Sequence, residues 1–445
     1  MKHILLVNPW ITDFTAYDFW LKPLGLLFIA SILRENSDCR LHFVDCLDRF
    51  HPRLKTRKGE KPDGRGHFPR VEISKPPALR AVPRRFSRFG IPVELFLEEI
   101  GNLPRPEAVL LASGMTYWYP GVVLTVELIR RKWGGVPVIL GGNYATLIPE
   151  HARRFSGADV VVGGPAENAI LPLMKDILGA RFVRTRIYSS FQEMPAPAFD
   201  LLRVRRSLPL LTSRGCPFRC SFCATPLLHR RFEQRAPRSV VKEIESNIRR
   251  WATHDFAFYD DALLLHKHRH IVPILEAVAE MSLGAAFHTP NGLHVREIDS
   301  PLASLFRRAG VTSLYLSQES FDEKLLAGSC PKVSPGDLES ALGCLETAGY
   351  SREGVNVYLI VGLPGQDLAS VREGVRRVRR LGARPRLAFF SPVPGTAEWK
   401  KLVISGVLPA DADPLLHNKL AFAYVWGRIS RPEFDDLRRL LTESR

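Results

Sequence analysis

The sequence lacks any apolar run of membrane-spanning length. Its longest nearly unbroken one, Leu24–Leu33, falls well short of the roughly 20 residues that a bilayer requires. Cysteine is scarce: seven among 445 residues are too few for a disulfide scaffold, so clustered thiols in a reducing compartment would be metal or redox groups. No small-residue cleavage site follows the short apolar stretch Met1–Val7, which argues against a secretory leader and for the cytoplasm. No internal repeat is evident. Acidic residues are in deficit, 46 Asp and Glu against 62 Lys and Arg, a formal charge of +16. Such a balance suits anionic partners or simply a solvated basic surface, and charge alone does not choose between them.

What remains is the composition of a globular protein. Hydrophobic residues at 45% and charged residues at 24% supply a large core and exclude wholesale disorder. The length corresponds to about three structural units.

Residues 1–180 alternate short apolar strands with amphipathic stretches near 23–35, 120–133 and 165–178. The strands are His3–Val7, Arg40–Asp45, Ala108–Ser113, Val136–Leu140 and Asp159–Val162. Val, Ile and Leu-rich strands separated by helices predict a parallel, doubly wound (Rossmann-like) α/β domain. A stretch rich in Pro, Gly, Lys and Arg at 49–90 interrupts it, read either as a substrate-facing lid or as a solvated excursion. An Arg, Pro and Ser-rich linker is expected over 181–207.

Alternation then restarts. Strands fit Leu208–Ser213, Phe256–Asp260, Ala285–Thr289, Ser313–Ser317, Val355–Val361 and Arg386–Ser391, with helices near 238–251, 268–282, 300–309, 335–348 and 367–381. Six such units over 208–396 suit a partial (βα)6 barrel of TIM type, whose chemistry belongs on loops at the C-terminal strand ends. The segment 397–445 is expected to be helical, with a capping box at Ser430-Arg431-Pro432-Glu433.

Directly after the first barrel strand comes Gly215-Cys216-Pro217-Phe218-Arg219-Cys220-Ser221-Phe222-Cys223. Three thiols at CxxxCxxC spacing can wrap one inorganic cluster. A structural zinc usually takes four ligands, and no fourth Cys or His stands close by, His229 being the nearest. Three ligands on a 4Fe-4S cluster leave one iron open for catalysis.

This loop and its context resemble the radical S-adenosylmethionine (SAM) superfamily, and the domain order resembles its cobalamin-binding branch, the class B methyltransferases. The resemblance implies that Cys216, Cys220 and Cys223 are the catalytic ligands of a 4Fe-4S cluster, with SAM on the open iron and cleavage to a 5′-deoxyadenosyl radical. It places Phe222 beside the cluster and Tyr259, Asp260 and Asp261 where the family contacts the methionine amino group, although other members carry Gly-Gly-Glu there. Gln318 and Glu319, in Leu316-Ser317-Gln318-Glu319-Ser320, fall at the segment facing ribose and carboxylate. Tyr358 and Gly362, in Val357–Gly365, fall at the adenine region, where a plain turn is the other reading. Ser391-Pro392-Val393-Pro394-Gly395-Thr396 resembles the ending common in the cobalamin branch.

In the first half, three candidate loops follow strands on one sheet edge. They carry Ser113, Met115 and Thr116; Gly141, Gly142, Asn143 and Thr146; and Gly163, Gly164 and Glu167. Glycines there let backbone N–H groups approach a nucleotide tail or corrin amides. The resemblance implies cobalamin, and an empty, vestigial domain is the alternative. No Asp-x-His-x-x-Gly occurs, so cobalt would have no histidine lower ligand; Asn8, Trp10, Tyr117 and Trp118 are weak neighbours, read first as packing.

The implied function is a methyl transfer to an unactivated carbon. Radical rearrangement or cyclisation and a non-catalytic corrinoid or iron-sulfur carrier are the alternatives. The substrate, a small molecule, lipid or peptide, is not specified; the basic insertion hints at an anionic one. The expected electron donor is a flavodoxin or ferredoxin, and nucleic acid is not an expected partner. Cys39, Cys46, Cys330 and Cys344 read as packing residues, with hydrogen donation as a second role for Cys330. His266, His268, His270 and the arginines at 372, 376, 377, 379 and 380 read as solvated.

Overall fold

The computed structural model describes residues 2–54, 59–426 and 429–442. The chain divides into two compact units, residues 1–205 with 413–415, and residues 206–412 with 416–445.

The first unit is built on five parallel strands, β1 (Lys2–Asn8), β2 (Cys39–Asp45), β3 (Ala108–Ser113), β4 (Val138–Gly141) and β5 (Val160–Val161), in the order β2-β1-β3-β4-β5. Alternate side chains explain the double winding. Leu5, Val7, Val109, Leu111, Val138 and Leu140 join one core. Ile4, Leu6, Leu110 and Ile139 join another on the opposite face. Helix α1 (Leu24–Asn36) and α4 (Ile170–Leu178) contribute to the second core, α2 (Val93–Gly101) and α3 (Tyr119–Trp133) to the first. The strand order reverses between β1 and β3, and in open parallel sheets ligands bind beyond the C-terminal strand ends at such a switch.

Three expectations are corrected here. The insertion 49–90 is a built substructure: Ser87–Phe89 pairs antiparallel with both Ile11–Asp13 and Arg70–Glu72, and buried Arg49 donates Nε to Asp18 at 2.8 Å. Its residues 55–58 lie outside the described residues. The expected linker is stitched into the first unit, since Ala198 N donates to Leu27 O, Ser31 Oγ to Ala196 O, and Asn36 Nδ2 to Tyr188 Oη. The glycine stretch after β4 is a helix (Gly142–Leu147), not a loop: burial of Tyr144 and Ala145 drives it, and Gly142 at φ +86° makes the sharp entry.

The second unit has six parallel strands arranged in two sheets. They are β6 (Ser207–Leu210), β7 (Asp255–Phe258), β8 (Ala286–His288), β9 (Tyr315–Glu319, preceded by Val311–Ser313), β10 (Asn356–Val361) and β11 (Arg384–Phe389). β6, β7, β8 and Val311–Ser313 form one sheet; Leu293–His294 and β9 to β11 form the other. Helices α5 (Pro237–Trp251), α6 (Ile271–Met281), α7 (Ser300–Arg308), α8 (Asp337–Thr347) and α9 (Leu368–Arg380) connect them, giving an open (βα)6 half-barrel. Among the described residues no ladder joins β11 to β6.

The C-terminal segment is helical as expected. In α10 (Ala397–Ile404), Trp399 and Leu402 pack with Ile360, Leu363, Phe390 and Phe422. In α12 (Arg431–Thr442), which follows α11 (Lys419–Val425), Phe434 stacks on Phe389 and Asp436 pairs with Arg372 of α9. Residues 443–445 lie outside the described residues.

Candidate active site in the half-barrel

The cysteine loop leaves the C-terminal end of β6 through a narrow neck. Ser213–Arg214 pairs antiparallel with Glu233–Gln234, and Arg214 Nε donates to Glu233 at 2.8 Å. Gly215 is required at that neck: its φ is +80° and a Cβ would stand 2.4 Å from the Arg231 carbonyl oxygen. A tethered loop loses less conformational entropy when it closes around a bound group.

Cys220 is buried, and Cys216 and Cys223 are half-buried. Burial pushes the Cys216 thiol up to about 11 and raises Cys223, whereas a hydrogen bond with Cys330 brings Cys220 down to about 7. Among the described residues no three His, Cys, Asp or Glu side chains converge as they would for a single metal ion. A cubane takes one thiolate per iron at separate corners and needs no such convergence. The donor set therefore fits a cluster with one open iron. Phe222 joins the apolar group of Ile360, Leu363, Phe390 and Trp399, which shields this side of the loop.

Asp260, expected at the methionine amino group, has its carboxylate fully engaged elsewhere. It accepts from Thr212 N at 3.1 Å, Thr212 Oγ1 at 2.7 Å, Ser213 Oγ at 2.6 Å and Ser213 N, fixing the two residues that lead into the neck. Burial pushes it up to about 6. His270, expected to be solvated, is buried and lies 2.8 Å from Thr212 Oγ1; burial brings it down to about 4. His266 and His268 are exposed. The Tyr259 carbonyl accepts from Asn291 Nδ2 at 2.8 Å, and Asp261 accepts from Thr225 Oγ1, which also contacts Cys223.

Gln318 has its side-chain amide held within the protein. It is fully buried, and its Nε2 donates to Ser320 O and Ser334 O. Glu319 sits at a register shift in β9 with φ +62°, and its side chain is 12% exposed. Strained conformations of this kind concentrate at functional sites. Tyr358 stacks on Tyr315 and donates Oη to Pro290 O. Gly362 N donates to Gln366 Oε1, so the expected turn is present.

Two residues escaped the sequence reading, and a third has a partner that it did not show. Lys332 Nζ lies 3.7 Å from Glu319; burial opposes its charge, but Glu319 and the sulfurs of Cys330, Cys220 and Cys216 raise its pKa overall. His294, edge-on to Phe218, is brought down to about 3 by burial and by Lys332. Cys330, read chiefly as packing, stands 3.5 Å from Cys220. No sequence spacing signals these contacts, because the residues come from the strand Leu293–His294 and from the segment after the helix Glu323–Ser329, far from the cysteine loop in the chain.

In the first unit the three candidate loops end adjacent strands and are laced together. Asn143 Nδ2 donates to Gly114 O at 2.9 Å, Thr146 Oγ1 donates to Gly142 O, and Gly164 N donates to Thr146 Oγ1 at 2.9 Å. Ser113 bridges to Gly142, where a Cβ would meet the Ser113 carbonyl oxygen at 2.7 Å. Thr116 and Glu167 are buried; Met115 is exposed. Asn8 bonds Asp45, Trp10 packs on Phe96, Trp118 bonds Asp13 and Tyr117 is buried.

Residues 210–378 match the Radical SAM superfamily. Over 350 residues the chain is 24% identical to an uncharacterized methyltransferase of Pyrococcus horikoshii, covering 72% of this chain and 75% of that one. It is 24% identical over 293 residues to the anaerobic magnesium-protoporphyrin IX monomethyl ester cyclase of Rubrivivax gelatinosus, covering 57% of this chain and 51% of the cyclase. The radical SAM methyltransferase TsrM of Kitasatospora setae, solved with cobalamin and a [4Fe-4S] cluster bound, superposes with a TM-score of 0.67 at 16% identity, covering 94% of this chain and 82% of TsrM. The superfamily uses a 4Fe-4S cluster and SAM. Residues 210–378 therefore carry a radical S-adenosylmethionine domain, which marks the chain as an enzyme.

Proposed function

We propose that this enzyme is a cobalamin-dependent radical SAM methyltransferase acting on an unactivated carbon. One observation carries the reading: a single chain joins a three-cysteine loop at the first strand end of an open (βα)6 half-barrel to a β2-β1-β3-β4-β5 sheet with three laced segments at its C-terminal strand ends. The likeness to TsrM, whose structure holds cobalamin and a cluster, supports it.

Cys216, Cys220 and Cys223 would hold the cluster, leaving one iron for the amino and carboxylate groups of SAM. When bound, the cluster with SAM supplies a primary radical that takes hydrogen from unactivated carbon, and cobalamin supplies the methyl group. The chain's part is positioning. Glu319 and Lys332 offer an anion and a cation beside the thiols, a charge pattern complementary to the zwitterionic end of SAM. The Tyr259 and Asp260 backbone, held by Asn291, lines the same strand end, and Asp261 reaches Cys223 through Thr225. Tyr358 and Gly362 border the adenine side, and Phe222 keeps water from the last thiol. Ser113, Met115, Thr116, Gly141, Gly142, Asn143, Thr146, Gly163, Gly164 and Glu167 form the edge assigned to the corrinoid. The electron comes from a flavodoxin or ferredoxin.

A radical cyclisation is the second reading, favoured by the cyclase relatives. The test is the reduced, cluster-loaded full chain incubated with hydroxocobalamin and methyl-labelled SAM. The proposal expects 5′-deoxyadenosine together with labelled methylcobalamin. Absence of 5′-deoxyadenosine sinks both readings, and 5′-deoxyadenosine without label on cobalamin favours cyclisation.

A further inference from the structure

We infer that Cys330 is the hydrogen-bond donor to the Cys220 thiolate, a positioning residue that sets how readily the cluster accepts its electron. This rests on the reading of Cys216, Cys220 and Cys223 as cluster ligands.

The two sulfurs are 3.5 Å apart and Cys330 is fully buried. The approach is fixed by backbone on both sides. Ser221 N, next to Cys220, donates to the carbonyl of Ser329, next to Cys330, at 2.9 Å. Gln318 Nε2 donates to Ser320 O at 2.9 Å and Ser334 O at 3.0 Å, clamping both ends of the segment that carries Cys330. The Gln318 amide thus acts on the cysteine loop through this segment.

Two neighbouring thiols share one hydrogen bond, and either sulfur can donate it. Iron on Cys220 removes that choice, because the ligating sulfur carries no proton. The S–H then belongs to Cys330 and points at the thiolate. A hydrogen bond to a ligating sulfur draws charge away from the iron-sulfur core and favours its reduced state, a lever by which proteins tune cluster potentials. Lys332, two residues further on with its side chain 13% exposed, adds a positive charge that acts in the same direction. Cys330 comes from the segment between β9 and α8, outside the CxxxCxxC loop, so the three-ligand count and the open iron are unchanged.

The test compares anaerobically reconstituted full-length wild type with C330A, C330V and C330S. It reads iron and sulfide content, the midpoint potential by EPR-monitored redox titration, and exchangeable proton couplings of the reduced cluster after transfer to D2O. Equal iron content is expected throughout. The apolar variants should titrate at a more negative potential than wild type and lack one exchangeable coupling, while C330S, which retains a donor, should move back toward wild type. Either apolar variant suffices should the other fail to fold. Identical potentials and couplings in wild type and an apolar variant overturn the inference. Loss of the cluster from the apolar variants with retention in C220A also overturns it, by making Cys330 a ligand. A wild type that assembles no cluster overturns the ligand reading instead.

Discussion

Asp260 is a buried carboxylate that braces the entry to the cysteine loop. Its oxygens take two backbone N–H groups and two hydroxyls from Thr212 and Ser213, so removing it strands several buried donors at once. Asp260→Ala should lower the stability of the full chain by on the order of 3 kcal/mol in denaturant titration, since each orphaned buried polar group costs about 1–3 kcal/mol. Iron uptake on reconstitution should fall as the neck loosens; unchanged stability and uptake would refute the clamp. The same network has a pH signature. His270 has a folded-state value near 4, below its ordinary 6.5, so its contribution is present above pH 6.5 and is lost as pH falls toward 4. Asp260, raised from 3.8 to about 6, works the opposite way: its contribution is present below 3.8 and is lost as pH rises through 6. Replacing His270 by Gln removes only the first dependence. The stability advantage of wild type over H270Q should therefore shrink between pH 7 and pH 4, by about 3 kcal/mol at 1.36 kcal/mol per pKa unit. A pH-independent difference would show that His270 is not held neutral. At this scale the sequence revealed the three cysteines, because one loop fixes their spacing. It could not give the direction of the Asp260 carboxylate, nor that Cys330 meets Cys220 across 110 residues.

The strand that carries Glu319 is bent by design of its backbone. The register against β10 shifts between Ser317 and Glu319, and Glu319 takes φ +62°, a conformation that costs a non-glycine residue about 1–2 kcal/mol. Glu319→Ala and Glu319→Gly both delete the carboxylate, but only glycine relieves the strain. E319G should be more stable than E319A by about 1 kcal/mol, and both should retain less SAM than wild type by equilibrium dialysis at equal iron content. Equal stabilities would place the strain elsewhere, and undiminished SAM retention would remove Glu319 from the site. Long elements were legible in the sequence for a physical reason: buried parallel strands read as unbroken Val, Ile and Leu runs, and the intervening helices show a 3.6-residue period. The three-residue strands Ile11–Asp13, Arg70–Glu72 and Ser87–Phe89 are too short for any period, and the first of them pairs with the last across 74 to 78 residues. Gly142–Leu147 was read as a loop because a Gly-Gly pair stands at its start, and the short helix Val93–Gly101, entered through Pro92, was not expected.

The whole molecule joins two compact units, each with its own core, and this separability can be tested through its cofactors. Cobalamin is assigned to the edge of the first unit, where Gly142 is the tightest point: a Cβ would meet Ser113 O at 2.7 Å and Ser113 N at 2.9 Å, both backbone atoms that cannot swing aside. Gly142→Ala must therefore separate β3 from the entry to the helix after β4 and pull apart the loops carrying Gly114 and Gly164. Cluster ligation, by contrast, depends on a neck and a carboxylate clamp contained in the second unit. The expected outcome is a crossed pattern in full-length protein. G142A should lose hydroxocobalamin on gel filtration while retaining iron near the wild-type content, and Cys223→Ala should lose iron while still retaining hydroxocobalamin. The visible spectrum distinguishes the two directly, since the corrin bands and the broad iron-sulfur absorption respond separately. If wild type retains no cobalamin, the first unit must be reassigned to substrate or partner binding and the enzyme becomes a cobalamin-independent radical catalyst. If each substitution removes both cofactors, the two sites depend on one cooperative fold, and the division into separately built units fails as an account of how this chain holds its chemistry.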